Sequence, residues 1–329
     1  MIKKNAQENN FAFIFLIIPA ILLILGYYIN PYPPIDNLKI LLQIPMFLGL
    51  VILGIGFFIT FFEKNKNLGS IFKISGWIIF AFYWATQPAH LYYSEGGDIF
   101  NGVVCILGVF VLFYIAYHEW LSVVRNEHIS CLNWLAGASF FAGIIYFGIE
   151  RLIVPSFFGL PEINLANSLI SIVSDHSTLV LNTIIGNAER VVSQGPHYQI
   201  YIDGHYAVTI IFACTAIQAM VIFIGMLFAI KKVDLKRRII GLAITVIPIY
   251  ILNLFRNAMV AFLVGRNITD FNIAHNILSK IGALMSLIIL LLLLIKIVPE
   301  ILDEIFCFID LYKRNGPIEK TISKIWGKK

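Results

Sequence analysis

Three side chains that can do chemistry stand in apolar surroundings in the second half of the sequence. Cys214 lies in IIFACTAIQAM, Arg256 in LNLFRNAM and His275 in NIAHNILSK. A thiol becomes a nucleophile when a positive neighbour lowers its pKa or a base takes its proton. Arginine does not give up its proton, so beside such a thiol it would hold charge on the thiolate or on the oxyanion of a tetrahedral intermediate. Histidine titrates near neutrality and can hand a proton to a leaving amine. The trio could open an amide and leave a thioester on Cys214, after which water or another amine decides between hydrolysis and transfer.

Polar neighbours accompany each member. Thr215 follows the cysteine, and Gln218 would stand one turn further along the same helical face. Asn253, Arg256 and Asn257 occupy i, i+3 and i+4, a polar stripe on an otherwise apolar helix. Asn276 follows the histidine. Each chemical residue alone has a plainer reading: Cys214 as a small buried hydrophobe, Arg256 as an anchor to carbonyls or headgroups, His275 as an interfacial residue. An arginine in hydrocarbon costs at least about 2.5 to 3.5 kcal/mol, which favours a place facing the bundle interior. No metal ligand set is expected, because HExxH and CxxC are absent, and no cofactor motif is present.

The elements that must position these residues are membrane helices. Of the 329 residues, 59% are hydrophobic and 13% charged, and the mean hydropathy is +0.84, which excludes an ordinary soluble domain. Crossing about 30 Å of hydrocarbon takes about 20 residues. Eight stretches qualify, near 11–29, 38–62, 71–86, 100–117, 131–153, 207–230, 238–263 and 277–298. The expected fold is therefore an all-α integral membrane protein, a single multi-pass domain 1–329. It divides into five N-terminal helices (1–153), an extracytoplasmic insertion of about 50 residues (154–206), three catalytic helices (207–298) and a cytoplasmic tail (299–329).

Charge orients this chain. With the N-terminus inside behind Lys3 and Lys4, the inner loops hold Lys64, Lys66 and Lys73, then Arg125, then KKVDLKRR at 231–238, then the basic tail. The outer loops hold almost no Lys or Arg, as the positive-inside rule requires. The first helix is retained, since no small-x-small cleavage site follows it. Basic residues are not interleaved with aromatics as on a nucleic-acid surface, so no nucleic-acid partner is expected. At 1.5 Å per residue, Cys214 and Arg256 both lie about 10 Å below the outer boundary, and His275 opens the eighth helix on that same side.

Four cysteines, Cys105, Cys131, Cys214 and Cys307, are scattered and are read as free thiols. Within the insertion, SLISIVSDHSTLVLNTIIGN fits an amphipathic or re-entrant helix, and HYQIYIDGHYAVTI fits a short β-hairpin turning at Asp203-Gly204. His197, Asp203, His205 and Tyr206 in that hairpin could steer a substrate or bind metal, but a solvated hairpin accounts for them. Lys296 is read as an anchor at the inner end of the eighth helix.

FACTAIQAMVIF, NLFRNAMV, AHN and the tail IVPEILDEIFCFIDLYKRNGPIE resemble the exosortase/archaeosortase family of multi-pass membrane cysteine transpeptidases, over about residues 205 to 320. The family pattern pairs a cysteine in an AC(S/T) sequence with an arginine in NxxR on the next helix and a histidine after it. Cys214, Arg256 and His275 occupy those places. Glycine usually follows the hydroxyl residue in the family, whereas here it is Ala216.

The resemblance implies a thiol protease and transpeptidase acting on secreted surface proteins that end in a short motif of the Pro-Gly-Phe type, a transmembrane helix and a basic cluster. It would cut at the motif and transfer the new C-terminus to a lipid amine. The location is the cell membrane, with both termini cytoplasmic and the thiol near the outer face. Two other classes compete: a membrane-bound lipid acyltransferase working through histidine, and a transporter using Arg256 as an anion site.

Overall fold

Apolar stretches too long to be satisfied by water fold as helices, because in hydrocarbon every backbone N–H and C=O must be paired within the chain. The computed structural model describes residues 12–33, 36–94, 99–151, 153–154, 163–192, 197–325 and 327. Lys3, Lys4 and the 95–98 end of the third predicted loop lie outside the described residues. Among those described, seven helices are long and apolar enough to cross a membrane, and Ile14–Ile29 and Ile217–Ala229 are shorter apolar helices. The all-α membrane fold expected from composition is the fold observed.

The chain divides into two compact units, 1–140 with 302–329, and 141–301. The first unit holds α1 (Ile14–Ile29), α2 (Asp36–Phe61), α3 (Lys66–Ala85), a short α4 (Pro88–Ser94), α5 (Ile99–Arg125) and the first half of α6 (Ser130–Arg151). Asn65 starts α3 by accepting from the Leu68 amide at 3.0 Å. α2 and α3 pack backbone to backbone: a Cβ on Gly49 would stand 2.8 Å from the Phe80 nitrogen, and one on Gly56 2.7 Å from the Gly69 carbonyl. Small residues let membrane helices approach this closely and gain dispersion contacts.

Lys73 corrects the charge reading. Since α3 begins at Lys66, Lys73 lies two turns inside the helix, where it is 1% exposed with its Nζ 2.7 Å from Glu119 Oε1 on α5. It neutralises a buried carboxylate and contributes nothing to a loop; Lys64 and Lys66 still flank the start of α3.

The tail returns to this unit through α11 (Glu300–Ile309), a 3₁₀ turn (Asp310–Arg314) and α12 (Pro317–Ile325). Arg314 donates to the His118 carbonyl at 2.9 Å and to Glu127 at 2.9 Å. Glu319 accepts from the Tyr117 hydroxyl at 2.9 Å and meets His118 Nε2 at 3.2 Å. The tail also corrects the cysteine reading: Cys131, at the start of α6, and Cys307, on α11, are joined as a disulfide across 176 residues. Cys105 and Cys214 are the two free thiols. Separation in sequence concealed the pair, because only the folded tail brings Cys307 back to α6.

In the second unit the helix expected in the insertion as amphipathic or re-entrant is among the seven long and apolar enough to cross a membrane. It is α7 (Leu165–Ile185), 21 residues long, preceded by the strand pair β1 (Ile153–Val154) and β2 (Ile163–Asn164). Asn164 caps α7 by accepting from the Asn167 amide at 3.0 Å, and Gly186 ends it in a left-handed conformation at φ 80°. β3 (Ala188–Val192), β4 (Tyr198–Ile202) and β5 (His205–Ile210) form an antiparallel sheet in that order. Asp203 and Gly204, both at positive φ, make the predicted turn between β4 and β5. Ile200, Ile202, Val208 and Ile210 are buried on the face that packs with Ile170 and Val173 of α7 and with Leu254 and Ala258.

The sixth predicted helix is broken. Residues 207–210 finish β5, Phe212–Thr215 form a 3₁₀ turn, and only Ile217–Ala229 is α-helical (α8). α9 (Leu235–Gly265) follows, capped by Asp234, then a π-helical segment (Asn272–Ser279) running into α10 (Lys280–Ile297). The β-branched run Val208, Thr209 and Ile210, together with pairing to β4, decides for the strand where hydropathy alone reads helix.

Candidate active site

Cys214 stands in the 3₁₀ turn between β5 and α8, not within a helix. Its amide donates to the Ile211 carbonyl at 2.8 Å. The Thr215 hydroxyl donates to the Phe212 carbonyl at 2.7 Å and faces the Ile217 amide at 3.5 Å, so it shapes the turn and the start of α8. Ala216 then adopts the left-handed conformation, φ 58° and ψ 12°, which turns the chain into α8. That conformation suits glycine, which gives the glycine of the family pattern a geometric reason.

The main-chain carbonyl of Cys214 accepts from two amides on α9, Asn253 Nδ2 at 2.7 Å and Asn257 Nδ2 at 3.0 Å. Both asparagines are buried, and Asn257 also reaches Ser177 Oγ of α7 at 3.5 Å. A tight turn leaves a carbonyl without a helical partner, and buried carbonyls must be paired; the stripe on α9 supplies the donors. Arg256, one turn from Asn253 and half-buried, donates from Nε to Ser279 Oγ at 2.6 Å. Its charge reaches both Cys214 and His275.

His275 is half-buried in the π-helical segment, stacked on Phe271 with ring centroids 4.8 Å apart and planes at 10°. π-Helical turns inside membrane helices recur at functional sites because the extra residue re-aims a side chain. Of the three, Arg256 lines a cavity of about 490 Å³ between the start of α8, α9, the π-helical segment and α10, whereas Cys214 and His275 lie outside its wall. Its wall is apolar except for Asn253, Arg256, Ser279 and Ser286.

Not every residue singled out in the sequence joins this group. Gln218 donates to the Tyr146 hydroxyl of α6 at 3.1 Å, and Asn276 donates to Asn272 at 2.6 Å within its own segment. Neither contact reaches Cys214. In the hairpin, Asp203 pairs with Arg266 at 3.0 Å and ties the sheet to the end of α9; with His197 and His205 it forms no metal-ligand cluster among the described residues. Ser279 and Ser177 were not singled out. Ser279 lies four residues after His275, a spacing that signals a shared face, while Ser177 on α7 carries no signal of its link to α9.

The family model described as transmembrane exosortase matches residues 70–295, more than half of the chain. The chain belongs to the transmembrane exosortase family. Among curated proteins, this exosortase-family chain is similar to archaeosortase A of Haloferax volcanii, 22% identical over 265 residues that cover 74% of this chain and 85% of that protein. No solved structure matches. Membership makes the chain a multi-pass membrane protein of a family with a transpeptidase-type role. Cys214, Arg256 and His275 all fall inside the matched region.

Proposed function

We propose that this protein is a membrane-embedded cysteine transpeptidase in which Cys214 is the nucleophile, Arg256 the oxyanion and thiolate stabiliser, and His275 the proton shuttle. The observation that carries the reading is the turn itself: two buried asparagines of α9 hold the Cys214 carbonyl while Arg256, between them in sequence, faces an apolar cavity. His275 takes the Cys214 thiol proton as the sulfur attacks the carbonyl carbon of the scissile peptide. The oxyanion meets the Arg256 guanidinium, which Ser279 keeps aimed. As the C–N bond breaks, His275 gives its proton to the departing amine, leaving a thioester. A lipid amine then attacks the thioester, loses its proton to His275, and releases the thiolate.

Substrates in this reading are secreted proteins ending in a short sorting motif, a transmembrane helix and a basic cluster, and the acceptor is a membrane lipid amine. Both termini face the cytoplasm and the thiol lies toward the outer leaflet; the basic residues at 231–238 and in the tail support that orientation. The name of the Haloferax volcanii relative supports the sorting role. Cys214→Ala and Cys214→Ser should each insert normally yet lower processing of a tripartite substrate at least about 10³-fold, read by mass spectrometry of the substrate's C-terminus. Normal processing by the alanine variant would refute the mechanism.

A further inference from the structure

In the first unit, Cys131, Glu304 and Cys307 bring two sulfurs and a carboxylate oxygen within 4.8 Å of one another. In the disulfide form this cluster is incompletely satisfied. Ser130 bonds to the Glu304 carboxyl, but its Oε2 is buried without a hydrogen-bond partner. A buried acceptor facing two sulfurs that offer it no donor is costly unless something positive joins it.

We propose that the dithiol form of this cluster is a binding site for a thiophilic divalent cation, with zinc the best fit, that fastens the returning tail to the start of α6. Two thiolates and one carboxylate match the ligand preferences of zinc and disfavour magnesium or calcium, which take oxygen ligands. Glu304 and Cys307, three residues apart on α11, project from one face. Cys131 lies in the first turn of α6, where the exposed N–H groups favour a thiolate. The fourth position of a tetrahedral site is left to water. The disulfide opens when a cellular dithiol reductant supplies two electrons and two protons, itself becoming oxidised; metal binding then releases the two thiol protons.

That the dithiol prevails in cells rests on the orientation proposed above, which puts this end of α6 and the tail in the reducing cytoplasm. The site itself is tested apart from orientation. Full-length protein carrying Cys105→Ala and Cys214→Ala, purified in detergent and reduced under nitrogen, would be titrated with Co²⁺ and with Zn²⁺. Expected are a thiolate-to-cobalt charge-transfer band and one tightly held zinc per chain. Adding Cys307→Ser should abolish the band. Glu304→Gln, which keeps both thiols, should weaken zinc binding roughly tenfold or more even if the serine variant does not fold. No band, or the same zinc affinity with Glu304→Gln, overturns the site. Acid-quenched cells alkylated before lysis report the thiol state: free thiols support the proposal, and a disulfide there overturns it. Labelling of Cys307 by an impermeant reagent in intact cells would refute the orientation alone.

Discussion

Asn253 holds the main-chain carbonyl of Cys214 at 2.7 Å from 39 residues away in sequence. With Asn257 on the same carbonyl at 3.0 Å, the helix that carries Arg256 also holds the turn that carries the thiol. The proposed nucleophile and the proposed stabiliser therefore share one support, which is the condition for electrostatic preorganisation.

Removing that support should be felt in two steps. Asn253→Ala or Asn257→Ala leaves the carbonyl one donor, so each should cost about 1 kcal/mol, whereas the double variant strands a buried acceptor and should cost about 3 kcal/mol. Apparent melting temperature in detergent and substrate processing would both show more than additive loss. A double variant as stable and active as the parent would rule out this account of the turn.

The Arg256–Ser279 contact should matter for rate more than for binding. Ser279→Ala frees the guanidinium to swing, so the maximal rate should fall about tenfold with KM little changed, while Arg256→Lys, a point charge without the planar donor set, should lose about 10²-fold. Initial rates on a peptide spanning the sorting motif separate the two parameters. Equal activity of Arg256→Lys and parent would reduce Arg256 to a membrane anchor.

At φ 58° Ala216 occupies a conformation that costs an L residue about 1 to 2 kcal/mol. Ala216→Gly relieves that cost but adds about 0.5 to 1 kcal/mol of unfolded-chain freedom, so it should stay active and be as stable as the parent or up to about 1.5 kcal/mol more stable. Ala216→Val puts a branched side chain where it is a steric outlier and should lower both melting temperature and activity. An unimpaired valine variant would show that the turn is not left-handed in the membrane.

Docking of the tail should weaken in acid. Burial alone would raise the Glu319 carboxyl, but the His118 imidazole, the Tyr117 hydroxyl and its own backbone amide outweigh it and hold the group below its ordinary value of 4.5. A carboxylate depressed on folding stabilises fully above that value and loses its contribution as pH falls below it. Protease cleavage between α11 and α12 should thus accelerate below about pH 4.5. In Glu319→Gln it should be faster already at neutral pH and lose this pH dependence.

Local chemistry accounts for one part of this molecule. Long apolar runs cannot leave backbone groups unpaired in hydrocarbon, so the helices, the all-α membrane class and the spacing of Asn253, Arg256 and Asn257 on one face were legible from composition and periodicity. The Asp203-Gly204 turn was legible for the same reason, since few residues adopt positive φ in succession. Tertiary structure alone decided the rest. Cys214 leaves the helix because β5 pairs with β4 and the turn that follows is completed by amides of α9. Lys73 is drawn from a nominal loop to Glu119, and Cys307 returns to Cys131 across 176 residues. Hydropathy registers whether a residue can leave water, but the partner that satisfies a buried carbonyl, charge or sulfur is chosen by packing between segments that the linear pattern keeps apart.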